Sequence, residues 1–270
     1  MRGEDSPFAA ALAGQQREAV AMVHAALAAG RVRLAFQPVV SARRPGQVAY
    51  WEGLVRLLDD TGRVIPAADF MPAIETHELG RVIDRVALGL ALEALSRAPA
   101  VRLAVNLSAR SIGFAPWLAT LDRTLAGDPT LGERLILEIT ESSAMLMPDL
   151  VSVFMREMRA RGLSFALDDF GAGYTSFRHL RSFTFDILKI DGEFIRGISG
   201  DADNQVLTAA LISIARHFDM LCVAESVERD EEARWLVAAG IDAMQGYRFG
   251  APTLRPPWLA EAGERERLRA

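Results

Sequence analysis

Glu52, Asn106, Glu138, Asp168, Asp169, Lys189, Glu225 and Gln245 are the side chains in this sequence whose types and placement could do chemistry. Seven apolar runs each carry one of these polar positions, or the Asp168-Asp169 pair, at or near their ends. The donors are carboxylate and carboxamide oxygens, with no thiol and no suitably spaced histidine. Hard oxygen donors select Mg²⁺, Mn²⁺ or Ca²⁺ over zinc. Clustered carboxylates repel one another until a cation or protons relieve them. An aspartate placed between two cations can bridge them, an arrangement that suits displacement at phosphorus. Lys189 is the only lysine beside 29 arginines. An ammonium kept at the end of an apolar strand, where arginine is otherwise the rule, points to a task for a compact, tunable cation.

The elements that must position these residues follow from the hydrophobic pattern. Strand character recurs at 34–40, 50–57, 101–107, 135–140, 163–167, 187–190, 221–224 and 243–245. The third to seventh are apolar almost throughout, as expected of parallel strands covered on both faces. Helical segments intervene at about 82–97, 115–126, 148–161, 202–218 and 229–239. This count and size predict an α/β fold, a TIM-like (β/α)8 barrel; an open doubly wound sheet is the runner-up. The first connection, Ser41–Gln47 with Pro45-Gly46, is too short for a parallel crossover, so one strand should run antiparallel. In such a barrel the polar strand ends converge at the C-terminal mouth. Taken singly, each is an ordinary cap or loop residue; seven at similar strand positions form a pattern. Asp168-Asp169 are placed just after the fifth strand. Met145, Met147 and Cys222 read as core. His24, His77, His179 and His217 are scattered and read as surface or packing residues.

Residues 1–30 read as a helix flanking the barrel, 31–259 as one domain, and 260–270 as a charged tail. Net charge is −5, with hydrophobic residues at 50%. An acidic chain argues against DNA or RNA as partners. One cysteine excludes a disulfide framework and a cysteine-cluster metal site. No apolar run is long enough for a membrane span, and the N-terminus lacks signal-peptide shape, so a cytoplasmic protein is expected. Gly171-Ala-Gly173 lacks the third glycine of a dinucleotide fingerprint, and neither a P-loop nor a GxSxG elbow is present.

The strings around the polar residues occur in a fixed order: Glu52-Gly53-Leu54, Asn106-Leu-Ser-Ala-Arg110, Leu137-Glu-Ile-Thr-Glu-Ser142, Ala166-Leu-Asp-Asp-Phe-Gly-Ala-Gly-Tyr174, Ile187-Leu-Lys-Ile-Asp191, Ala224-Glu-Ser-Val-Glu228 and Gln245-Gly-Tyr247. As a set, running from Phe36-Gln-Pro38 to Phe249-Gly-Ala-Pro252, they resemble the EAL domain family of cyclic di-GMP phosphodiesterases. The resemblance implies a barrel with one antiparallel strand and cleavage of cyclic di-GMP to linear pGpG, lowering the level of a second messenger. It implies two Mg²⁺ or Mn²⁺ ions as cofactors, with Ca²⁺ inhibiting. Glu52, Asn106, Glu138 and Asp168 would bind one ion, and Asp168 would bridge to a second held also by Asp169. Lys189 would contact the hydrolytic water or the phosphate, with Glu225 and Gln245 holding the water network. Arg56 would contact phosphate. Glu228 would support the site from behind, and Glu141 would steady the loop after the fifth strand. That loop, Phe170–Arg178, would carry a homodimer contact, and a regulatory protein could act in trans.

Three departures bear on activity. Gly53 replaces the alanine of the name motif and is expected to add backbone freedom. Ala172 replaces a usual threonine. Ser226 replaces a usual glycine, at a cost if the backbone there has positive φ. Competing expectations are a non-catalytic cyclic di-GMP receptor and a protein-binding scaffold with a vestigial site.

Overall fold

Runs that are apolar on both faces become the strands of a closed sheet. The computed structural model describes residues 7–44, 46–172 and 180–260, with backbone alone for 7–12. The strands are β1 (Val32–Ser41), β2 (Val48–Leu58), β3 (Val64–Pro66), β4 (Leu103–Asn106), β5 (Leu135–Thr140), β6 (Ser164–Phe170), β7 (Ile187–Ile190), β8 (Leu221–Ala224) and β9 (Ala243–Gln245). They pair in the order β1-β9-β8-β7-β6-β5-β4-β2, and β1 with β2 closes the ring. The reversed strand is β1, antiparallel to both neighbours; the other ring pairs are parallel. The short first connection is thus a hairpin, and the barrel with one antiparallel strand is what the pattern predicts. The open doubly wound sheet is excluded by closure. β3, a short strand on the outer edge of β2, was not expected.

Helices pack outside the ring: α1 (Pro7–Ala28), α2 (Glu78–Arg97), α3 (Ala115–Gly127), α4 (Pro148–Arg159), α5 (Ala202–His217) and α6 (Asp230–Ala239). The main core lies between them and the sheet, with Leu88, Leu92 and Leu95 of α2 and Phe154, Met155 and Met158 of α4 buried there. A separate cluster joins Val23 and Ala26 of α1 to Val32, Leu57, Phe70 and Ile83, so α1 is packed against the first hairpin and α2. α2 begins four residues before the expected start because His77 Nδ1 accepts from Leu79 N–H (3.1 Å), an N-cap that apolar periodicity does not show. Met147 is 38% exposed and so is not core. Cys222 is buried, and burial pushes its thiol up to about 12, leaving it inert. The tail beyond Ala260 and residues 173–179 of the expected dimer loop, with His179, lie outside the described residues.

Inside the ring lies a layer of one residue per strand: Val39, Tyr50, Ala104, Ile136, Ala166, Ile187, Val223 and Ala243. It is the floor on which the polar residues stand.

One buried acid ties α2 to the loop after β4. Asp84 Oδ2 accepts from Ser111 Oγ–H (2.6 Å) and Ser108 N–H (3.1 Å). Burial nevertheless pushes this carboxyl up to about 6, against the pull of those two hydrogen bonds. A group raised from 3.8 to about 6 is most favourable when protonated, so its contribution is intact well below pH 4 and is lost as pH climbs through 6. The difference is about 3 kcal/mol. Urea unfolding of wild type and Asp84→Asn at pH 4, 5, 6 and 7 should show the wild type losing about 2 kcal/mol relative to the variant between pH 4 and 7, the remainder falling below pH 4. Parallel curves would remove Asp84 as the source.

Candidate active site

Side chains two apart on a strand share a face. Moving two residues from each floor position toward the mouth gives Glu52, Asn106, Glu138, Asp168, Lys189 and Gln245 on the parallel-running strands, and Glu225 one residue past the end of β8. On β1, which runs the other way, the step is backwards and gives Gln37. Gln37 thus completes an eight-membered ring. Its signal in the sequence was a carboxamide inside the apolar run Leu34–Val40, but only the strand's reversal says which way it faces.

Lys189 is the hub, 1% exposed. Its Nζ lies 2.6 Å from Glu225 Oε1, 2.8 Å from Asp168 Oδ1, 3.2 Å from Glu138 Oε2 and 3.4 Å from Glu52 Oε2. Gln245 Nε2 donates to Glu52 Oε2 (2.6 Å) and Gln37 Oε1 (3.1 Å), and Gln37 Nε2 donates to Gly250 O (3.0 Å). Asn106 Nδ2 donates to Glu52 Oε1 (3.2 Å). The mouth above is a pocket of about 420 Å³ lined by the ring residues other than the fully buried Glu138, and by Arg56, Asp169, Arg196, Glu228 and Tyr247. Glu141 stands apart from that pocket: buried at the start of the short helix Glu141–Leu146, its Oε2 accepts from Gly171 N–H (3.1 Å).

Asp168 and Asp169 do not follow their strand but lie within β6, a correction with a physical cause. The β6–β7 register slips between Leu167 and Phe170, and Asp169 has φ +53°. Consecutive strand residues ordinarily face opposite ways. The irregularity turns Asp169 so that both carboxylates meet the pocket. Asp168, Asp169 and Glu225 each offer an oxygen within 4.8 Å of one another. Glu225 therefore stands with the two aspartates rather than apart from them.

Electrostatics makes the site short of positive charge. Six carboxylates, from Glu52, Glu138, Asp168, Asp169, Glu225 and Glu228, share the mouth with Lys189, Arg56 and Arg196, which leaves three negative charges if all are ionised. The strain shows as proton affinity. Burial pushes Glu138 well up, helped by Glu52 and opposed by Lys189. Burial also pushes Glu225 up against the pull of Lys189. Asp169 is pushed up to about 6 by burial and then by Asp168. Burial would pull the Lys189 ammonium down, but Asp168, Glu138, Glu225 and Glu52 outweigh it and hold its proton more firmly than usual. Divalent cations would offset that negative charge, and the donors are the hard oxygens such cations take. The residues fit that group.

The family model described as EAL domain matches residues 20–252. The chain belongs to the EAL domain family. Among curated relatives, Cyclic di-GMP phosphodiesterase PdeF of Escherichia coli (strain K12) is 34% identical over 220 residues, covering 80% of this chain and 29% of that protein. Cyclic di-GMP phosphodiesterase PdeB of Shewanella oneidensis is 29% identical, over 81% of this chain and 26% of its own length. The chain thus spans under a third of these relatives. The structure of the FimX EAL domain from Pseudomonas aeruginosa bound to c-di-GMP superposes with TM-score 0.80 at 27% identity, over 88% of this chain and 97% of that one. The PaMucR phosphodiesterase complex with c-di-GMP gives TM-score 0.76 at 28% identity, over 87% and 97%.

Two departures from the EAL family pattern now have structural accounts. Gly53 is not a point of backbone freedom: its φ is ordinary, and a Cβ there would meet Leu34 Cδ1 and Val105 Cγ1 at 3.3 Å. It is a close-packing residue beside Glu52. Ser226 does sit at positive φ (+53°), and Arg196 Nη2 donates to its Oγ at 3.2 Å. Its side chain fills the space over Gly192, where an added Cβ would fall 2.4 Å from Ser226 Oγ. Gly192→Ala is therefore expected to cost about 1–3 kcal/mol by overpacking. Most of that loss should return in Gly192→Ala/Ser226→Gly when thermal unfolding of the three proteins is compared. Equal losses in both variants would show that the two residues are not in conflict.

Proposed function

We propose that this chain hydrolyses one phosphodiester bond of cyclic di-GMP, releasing linear pGpG, with two Mg²⁺ or Mn²⁺ ions. The observation that carries the proposal is the ring itself: four carboxylates and Asn106 around one buried lysine at the barrel mouth, with Asp169 beside Asp168, in a member of a family with phosphodiesterase relatives. Glu52, Asn106, Glu138 and Asp168 would hold one ion; Asp168 and Asp169, with Glu225 beside them, the other. Bound there, such ions supply positive charge to the phosphate and lower the pKa of water.

The chain's own groups do the rest. Arg56, on the same strand face as Glu52 and lining the pocket, meets a phosphate oxygen. Lys189 stays protonated and stabilises charge that builds on the phosphoryl oxygens. Gln245 holds Glu52 in place from one side and Asn106 from the other. Glu225 and Gln245 order the water that attacks in line with the departing 3′ oxygen. The new bond is water oxygen to phosphorus, the bond lost is phosphorus to the 3′ oxygen, and that oxygen leaves protonated. Glu141 fixes the start of the loop after β6 through Gly171, and Glu228 lines the rim.

The proposal extends to assembly: a homodimer through the 170–178 loop, regulated by a protein partner in trans. Exposed Leu146, Leu150 and Val153, just beyond Glu141, support it. Ser226 in the left-handed region favours the competing reading, a cyclic di-GMP receptor without turnover. Chromatographic separation of nucleotides after incubation with Mg²⁺, Mn²⁺ or Ca²⁺ tests both. Formation of pGpG with the first two and not the third supports the enzyme. Tight nucleotide binding with no pGpG supports the receptor.

A further inference from the structure

Seven of the eight floor residues are apolar: Val39, Ala104, Ile136, Ala166, Ile187, Val223 and Ala243. The eighth is Tyr50, only 5% exposed, and its hydroxyl has no hydrogen-bond partner. Three alanines leave room for its ring, a volume that phenylalanine would fill equally well. A buried hydroxyl left unpaired is a cost that the ring alone does not require. One level up, Glu138 is fully buried, and while its Oε2 faces Lys189, its Oε1 also lacks a partner. One orphan is a donor, the other an acceptor.

The two stand on nearby strands. Tyr50 stands on β2 and Glu138 on β5, with only β4 between them. Two inter-strand spacings are about 10 Å, and the interior of an eight-stranded barrel is only wide enough for side chains. An ordinary phenol carries its proton at neutral pH and is a donor.

We propose that Tyr50 is a positioning residue whose hydroxyl, through one buried water, hydrogen-bonds Glu138 Oε1 and so holds Glu138 Oε2 toward the mouth. A water in a small polar gap with a donor below and a carboxylate above has the partners it needs. The inference rests on the reading of the ring as a cation site: carboxylates that ligate cations are themselves oriented by a hydrogen bond on the far oxygen, and losing that partner weakens cation binding.

Calorimetric titration of Mn²⁺ into the full, chelator-treated chain tests this without nucleotide. Tyr50→Phe should bind Mn²⁺ about tenfold more weakly than wild type. In a Glu138→Gln background the same change should cost less than twofold, because the water no longer orients a carboxylate. Far-UV circular dichroism of Tyr50→Phe should overlay that of wild type. Affinity within twofold of wild type, an equal tenfold loss in both backgrounds, a Tyr50→Phe protein that does not fold, or a wild type that takes up no Mn²⁺ would each overturn the proposal. A wild type that shows the Mn²⁺ pattern but forms no pGpG would overturn the phosphodiesterase reading and leave this one standing.

Discussion

Replacing Lys189 with methionine is expected to abolish cyclic di-GMP turnover and to lower the unfolding temperature of the cation-free protein by roughly 6–20 °C. The size follows from the hub geometry. Four carboxylate oxygens lie within 3.4 Å of one ammonium that is 1% exposed. Removing one partner of a buried ion pair leaves uncompensated charge and costs about 3–5 kcal/mol. In a chain of this size each kcal/mol moves the midpoint by roughly 2–4 °C. Divalent cations should return more of that loss to Lys189→Met than they add to wild type, because they replace the missing charge. Lys189→Arg should not rescue turnover. A planar fork cannot occupy the point at which four oxygens converge, which explains why the chain keeps one lysine among 29 arginines. Differential scanning calorimetry in chelator and in Mg²⁺ reads both effects. A Lys189→Met midpoint within 2 °C of wild type in chelator would show that the carboxylates do not depend on this ammonium.

How much of this was legible in the sequence depends on whether a residue's direction follows from its strand. On the parallel strands it does. An apolar run covered on both faces ends at a mouth, so Asn106, Glu138, Lys189, Glu225 and Gln245 could be placed from pattern alone, and their strings supplied the family. Gln37 escaped because β1 is antiparallel, which puts its inward residue before the floor position instead of after it. Asp169 could be named but not aimed: the register slip and its positive φ are tertiary features, made by β7 pairing on either side of the slip. Tyr50 escaped because an aromatic residue in a strand reads as core, which it also is. Met147 was misread for the converse reason: it sits at the break between the short helix Glu141–Leu146 and α4, where helical periodicity no longer sets the buried face. Ser226 was legible as a conditional cost, and the backbone met the condition.

Asp168→Asn separates the enzyme from the receptor more sharply than any other single substitution. The change is nearly isosteric and removes one negative charge from the ring. Asp168 holds Lys189 at 2.8 Å and shares the three-carboxylate cluster with Asp169 and Glu225. If the site gathers two cations against a phosphate, as proposed, loss of an oxygen anion should cut turnover by at least ~10³-fold, a barrier increase of about 4 kcal/mol. Stability should move the other way or not at all. Four carboxylates compete for Lys189, so one fewer relieves repulsion while three partners remain. The cation-free variant should therefore unfold at or above the wild-type midpoint while binding Mn²⁺ more weakly. Loss of activity with stability retained marks a residue selected for chemistry at the expense of the resting fold. If Asp168→Asn retains more than a tenth of wild-type pGpG formation, Asp168 does not bridge the cations. If it also binds Mn²⁺ as wild type does, the acidic ring serves Lys189 alone, and the charge imbalance at the barrel mouth has to be met by protons, consistent with a receptor.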